Sequence, residues 1–196
     1  MKFNRLGNSD LQVSDVCLGT MTWGIQNTQQ DADEQMAFAL DKGVNFVDTA
    51  EMYPVPPNVD TYGDTERIIG NWISRNEAKR SDIVLMTKIA GSGLKYIRNA
   101  GPITADAIAN ALTYSLERLK TDYIDVYQLH WPNRVTPHFG KHWPDGADPT
   151  KTSREKELDG MRDILLGIKR ALDEGKIRHW GLSDDTPWGI HAFLTL

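Results

Sequence analysis

The sequence is poor in features that would mark special environments. Its 196 residues hold one cysteine, Cys17, so no internal disulfide forms, and a reducing compartment fits. With Val16 and Leu18 as neighbours, Cys17 is expected to be a small core residue. No apolar run approaches the roughly 18–20 residues of a membrane span. The opening MKFNRLGNSD lacks the apolar centre of a secretion signal, so a cytoplasmic location is expected. There is no basic excess: 22 Lys and Arg stand against 27 Asp and Glu, for a formal charge of -5. That balance argues against nucleic-acid and polybasic membrane partners. No low-complexity tract, short-period repeat or Pro/Gly/Ser-rich linker divides the chain, so residues 1–196 are expected to form a single domain. What remains, 40% apolar and 25% charged, is ordinary globular composition.

The hydrophobic pattern begins with two short strands, Lys2–Leu6 and Gln12–Val13, around Gly7-Asn8-Ser9-Asp10, a hairpin signature. Strands and helices then alternate. Strands are predicted at Val16–Gly19, Val44–Val47, Ile83–Thr87, Tyr123–Leu129 and Arg178–Leu182. Between them lie helices from Asp31 to Asp41 with Gly43 as the stop, from a cap at Asp64 or Thr65, from Thr104, and from Ser153 to near Gly175. Pro187 opens a last one at a permitted first-turn position. Such alternation implies a parallel sheet with right-handed crossovers, either an open doubly wound sheet or a (β/α)₈ barrel. The open-sheet fingerprint G-x-G-x-x-G is missing: Gly19-Thr20-Met21-Thr22-Trp23-Gly24 has other spacing, and Gly91-Ser92-Gly93 reads as a plain loop. The barrel reading is therefore preferred.

In both architectures ligands sit at the C-terminal ends of the strands. Asp48, Lys88, His130 and Ser183 follow four successive strands, and Tyr53 lies on the loop after Asp48. A phenol titrates near pH ~10 and is a sluggish donor. An ammonium about 4 Å away, at an effective dielectric near 20, would favour the phenolate by up to ~4 kcal/mol. Tyr53 beside Lys88 is thus expected to be a tuned general acid, with Asp48 keeping Lys88 charged and His130 orienting a substrate carbonyl. The set suits carbonyl reduction. None of these side chains supplies hydride, so a nicotinamide cofactor is implied.

Asp48-Thr49-Ala50-x-x-Tyr53, Lys88 after a strand, Gln128-Leu129-His130-Trp131-Pro132 and Gly181-Leu182-Ser183 resemble the aldo-keto reductases. The resemblance runs from the hairpin to the last residue and is closest to the bacterial Tas-like branch, on Gly19–Gly24, Ala50–Pro57 and His130–Arg134. It implies an NADP(H)-dependent oxidoreductase on a TIM-barrel (β/α)₈ fold, its floor covered by the hairpin. It also implies Tyr53 as proton donor, supported by Lys88 and Asp48, with His130 on the carbonyl. Gly19, Thr20 and Met21 would lie along the cofactor, and Ser183 with Asp184 would hold the nicotinamide carboxamide. Trp23 would line the substrate pocket with Tyr53, His130 and Trp131. Where the family has Asn, this chain has Asp184, which when ionised cannot donate to the carboxamide oxygen and adds negative charge. The chain reaches Leu196 in its fifth crossover helix, so the barrel is expected to be incomplete.

Long loops at Glu51–Gly63 and Trp131–Thr152 are expected to wall the pocket. His138, His142, Asp145 and Asp148 could suggest a metal, but Pro137, Gly140 and Pro144 argue against the helix that would gather them, so no metal is expected. Trp143 reads as a packing or pocket aromatic. Two rival readings follow from the resemblance: an auxiliary cofactor-binding subunit, as some members form for potassium channels, and an inactive product of a shortened gene. The partner expected on the enzyme reading is a small carbonyl compound.

Overall fold

Residues 1–136 and 152–196 are described by the structure, a computed structural model. Strands β1 (Phe3–Arg5) and β2 (Gln12–Ser14) pair antiparallel, Phe3 opposite Ser14. Asn45 staples this hairpin to the rest: its amide accepts from the Ser14 N–H and donates to the Gln12 carbonyl, each at 2.9 Å. Val13 then buries against Val84 and Val126, with Leu6, Leu11, Phe46 and Met86 around them. The hairpin therefore plugs the end of the sheet where the strands begin.

The main sheet holds five parallel strands: β3 (Cys17–Gly19), β4 (Phe46–Asp48), β5 (Val84–Ile89), β6 (Ile124–Leu129) and β7 (Ile177–Leu182), in chain order. Helices α1 (Gln29–Asp41), α2 (Asp64–Arg75), α3 (Ala105–Leu119), α4 (Arg154–Asp173) and α5 (Pro187–Thr195) follow them one by one. Unbroken chain order is the arrangement of a barrel wall; a doubly wound sheet reverses order at its switch point. Among the described residues β3 and β7 are its edges, so the wall does not close.

Side-chain oxygens cap most helices. Thr28 and Asp31 satisfy each other's backbone N–H groups at α1, while Thr104, Ser153 and Thr186 open α3, α4 and α5. At α2 the expected cap is corrected. Gly63, at φ +80°, precedes the helix, Asp64 is its first residue, and the Thr65 hydroxyl donates to the Trp23 carbonyl at 2.7 Å. A Cβ on Gly63 would stand 2.7 Å from the Arg118 side chain, so the turn needs glycine for both reasons.

The core lies between sheet and helices. Val47, Leu85, Ile89 and Tyr127 from the strands meet Ile69, Trp72, Ile108, Leu112, Met161 and Ile168 from the helices. Each aliphatic side chain among them contributes about 1.5–3 kcal/mol on burial. Cys17 is not among them: it is exposed, on the edge strand, with Leu18 rather than Cys17 turned to the core. The strand period of two sends Cys17 to the opposite face. No helix among the described residues is long and apolar enough to cross a membrane.

Candidate active site

Strand register assembles the site. Asp48, the last residue of β4, stands opposite Met86 of β5. Lys88 is two residues further and so on the same face. Its ammonium donates to Asp48 at 2.5 Å and to the Thr49 carbonyl at 2.8 Å. Lys88 lies one residue inside β5 rather than after it, because the strand runs on to Ile89. Gln128 pairs with Lys88, and His130, two residues beyond Gln128, follows β6 directly; its N–H donates to the Ile89 carbonyl at 2.9 Å. The Ser183 N–H continues the ladder to the Leu129 carbonyl at 2.9 Å.

Tyr53 is brought over this row by a compact turn. Its N–H donates to the Ala50 carbonyl at 3.1 Å, and the Gly63 N–H returns to its own carbonyl at 3.0 Å. The ring centroid lies 5.0 Å from the Lys88 ammonium and 5.7 Å from the His130 ring, edge-on at 80°. Trp131 lies 4.9 Å beyond His130, its indole N–H on the Ser92 carbonyl at 3.0 Å. Around Tyr53, His130 and Trp131 opens a cavity of about 410 Å³, with Met21, Met52 and Leu94 among its apolar walls.

The electrostatics differ from the expectation for Tyr53. Burial pushes its phenol up to about 12, and the charges of Asp48 and Asp184 push the same way. Lys88 is near, its ammonium paired with Asp48, but burial is the largest influence on the phenol and sets the direction of its shift. The Tyr53 phenol therefore stays protonated at neutral pH rather than being tuned toward neutrality. Burial lowers the Lys88 ammonium, and Asp48 opposes that shift. His130 is held down to about 3 by burial and then by the positive charge of Lys88, so its ring is neutral at pH 7.

Asp48, Tyr53, Lys88 and His130 thus come together, and of these Tyr53 and His130 line the cavity with Trp131 and Met21. Gly19 stands opposite Asp48 with no heavy atom within 4 Å of where a Cβ would be. Thr20 is fully buried, its hydroxyl donating to the Asp48 carbonyl at 2.8 Å, so it braces the strand end. Asp184 is exposed at φ +47°, beside Ser183. Trp23 corrects the expectation. It packs in the core at 1% exposure, its indole N–H on Gln35 at 2.8 Å, because α1 and not the cavity receives it. His138, His142, Trp143, Asp145 and Asp148 lie outside the described residues. Of the long loops, Met52, Val55 and Pro57 from the first and Trp131 from the second do line the cavity.

The motif reading missed three groups. Ser92 and Gly93, read as plain loop, line the cavity. Glu51, within the Asp48–Tyr53 motif itself, is fully buried and paired with Arg98 at 2.8 Å. Arg134 joins Asp185 and donates to Thr186 at 3.0 Å, tying the loop after β6 to the start of α5. Only an acidic residue at an otherwise apolar strand end hinted at the second.

The model of the aldo/keto reductase family matches residues 15–194, and the chain belongs to that family. It is 41% identical to Protein tas of Escherichia coli (strain K12) over 202 residues, covering 100% of this chain and 56% of that protein. It is 37% identical to an uncharacterised oxidoreductase, YrpG, of Bacillus subtilis (strain 168), covering 70% of this chain and 42% of that one. Among solved structures, the aldo-keto reductase AKR11C1 from Bacillus halodurans, in its holo form, aligns with a TM-score of 0.69 at 28% identity, over 100% of this chain and 54% of its own. The thermostable reductase Tm1743, solved with the inhibitor epalrestat, aligns at 0.69 and 23% identity, over 100% and 58%, which bears on the fold alone. The chain spans about half the length of the curated relatives it matches in full.

Proposed function

We propose that this chain carries the catalytic face of an NADPH-dependent reductase that converts an aldehyde or ketone to its alcohol in the cytoplasm, within one domain. The observation that carries this reading is the convergence of Tyr53 and His130 on one cavity with mainly apolar walls, with the ammonium of the Lys88–Asp48 pair 5.0 Å from the Tyr53 ring. Tyr53 holds the proton that the carbonyl oxygen takes up. His130, neutral, donates a hydrogen bond that fixes where that oxygen sits. Lys88 steadies negative charge developing on the Tyr53 oxygen, and Asp48 holds the ammonium in place. The walls exclude water from the reacting atoms.

The open side of the site fits the nicotinamide end of a dinucleotide. Gly19 leaves space beside Asp48, and Ser183 and Asp184 border the same face, Asp184 close enough to shift both Tyr53 and Lys88. Gly19, Met21, Ser183 and Asp184 would hold that group, with Thr20 bracing Asp48 behind them. Bound there, the nicotinamide supplies the hydride.

The test is Tyr53→Phe, followed by NADPH oxidation in the presence of an aromatic aldehyde and by NADPH titration of the same sample. Turnover is expected to fall by about 10²–10⁴, the usual contribution of a positioned acid. NADPH affinity should stay within about twofold, because the lost group acts in the transition state. Equal turnover of the two proteins would sink the reading. A unit that binds the cofactor without turnover is the second reading. NADPH binding by wild type, with no aldehyde reduced, selects it.

A further inference from the structure

The Glu51 carboxylate has no exposed surface, yet it lies two residues before Tyr53. It accepts the Ala90 N–H at 2.5 Å and one Arg98 nitrogen on both oxygens, each at 2.8 Å. The other Arg98 nitrogen donates to the Ala90 carbonyl at 2.6 Å. Arg98 and Ala90 are thereby pinned to one carboxylate, which closes the loop of residues 91–97 between them. That loop also bonds to itself, the Ile97 N–H on the Leu94 carbonyl at 2.9 Å and the Ala100 N–H on the same oxygen at 3.2 Å.

The backbone at its far end is unusual. Arg98, Asn99 and Ala100 take φ of +45°, +53° and +61°. Three successive residues with a Cβ in the left-handed region are unfavourable and persist only where the surroundings over-determine them. Here the surroundings are the Glu51–Arg98 pair and the burial of Ile97 against Ala50, Met52, Ala90 and Trp131. The loop so held puts Ser92, Gly93 and Leu94 on the cavity that Tyr53 lines, and the Ser92 carbonyl receives the Trp131 indole. Buried ion pairs often contribute little net stability, and their best-attested service is to select one arrangement over others.

We propose that Arg98 is a positioning residue that, through Glu51, locks loop 91–97 into the shape of the cavity wall and so determines which carbonyl compounds fit. The selectivity rests on reading the cavity as the carbonyl site; the lock does not. The experiment compares wild type with Arg98→Met and Arg98→Lys by hydrogen exchange, and by kinetics with benzaldehyde and the larger 2-naphthaldehyde. In Arg98→Met, exchange at residues 91–97 should quicken at least about tenfold while β6 stays within about twofold, the mark of local opening. Arg98→Lys, which keeps the charge but lacks the rigid planar fork, should fall between. The KM ratio of the two aldehydes should move about fivefold or more with kcat nearly constant, the signature of altered binding alone. Unchanged exchange in the loop, or an equal rise in β6, overturns the proposal. Should Arg98→Met not fold, Arg98→Lys is judged by the same two criteria. If wild type reduces neither aldehyde, the carbonyl reading falls and the exchange data still decide the lock.

Discussion

Two buried ion pairs sit at opposite ends of the same parallel sheet, and they are built differently. Near the floor, Asp125 is 2% exposed at its side chain and accepts from Arg80 at 2.8 Å, from Arg178 at 2.9 Å and from the Leu85 N–H at 3.0 Å. Arg80 also donates to the Ile83 and Tyr123 carbonyls and to Thr121, and the Tyr123 ring lies about 4 Å from both guanidinium carbons. Its bonds go to groups that the fold already holds still. At the other end Lys88 has Asp48 and one carbonyl, while Asp48 keeps 22% of its side chain exposed and a phenol and an imidazole stand beside them. A saturated pair is cement. On the proposed function, the pair with a wet side and titratable neighbours is the one that serves the chemistry.

The sharpest way to break this comparison is to remove one member of each pair. Asp125→Ala should cost about 3–5 kcal/mol in denaturant unfolding, because the Arg80 charge is left buried without a partner. Lys88→Met should cost clearly less, since solvent reaches Asp48, yet lose turnover by about 10²-fold or more. Equal stability losses would erase the distinction. A middle-sized effect concerns His130. Its folded pKa of about 3 lies below the usual imidazole value, so the unfolded chain takes up a proton that the folded one refuses. The stability this group confers is therefore whole above about pH 6.5 and is lost progressively as pH falls toward 3. Unfolding curves of wild type and His130→Gln should converge on acidification; parallel curves would count against a neutral, buried ring. The smallest effect is expected from Asp184→Asn. Removing that exposed charge should lower the Tyr53 pKa and tighten NADPH binding by up to about fivefold, the scale of a solvent-screened charge. A weaker cofactor complex would mean that a carboxylate at position 184 serves the carboxamide better than an amide does.

Much of this was legible from the chain because strand ends announce themselves. A run of apolar residues that stops at Asp48 or His130 locates both the element and the side chain at its end. The pairing of Asp48 with Lys88 needed one further step, the register that sets Met86 opposite Asp48. Trp23 escaped because its destination depends on Gln35 and the packing of α1, which no local pattern encodes. Arg98 escaped for a similar reason, since its partner is 47 residues away and its backbone conformation follows from that contact. The rise of the Tyr53 pKa escaped because proximity to a cation suggested one sign, whereas burial of the ring, which no local pattern encodes, sets the other. Local rules find elements and their ends; they do not show how deeply a side chain is buried.

Trp131 gives the molecule an optical handle. Its indole is fixed by Ser92, and a Cβ on Gly91 would come within 2.4 Å of the ring, so the chromophore has one pose. It borders both the cavity and His130, where a change in polarity or ring charge would alter its emission. The other five tryptophans can be subtracted with a Trp131→Phe reference. A fluorescence titration can thus follow events inside this wall without a label and without turnover.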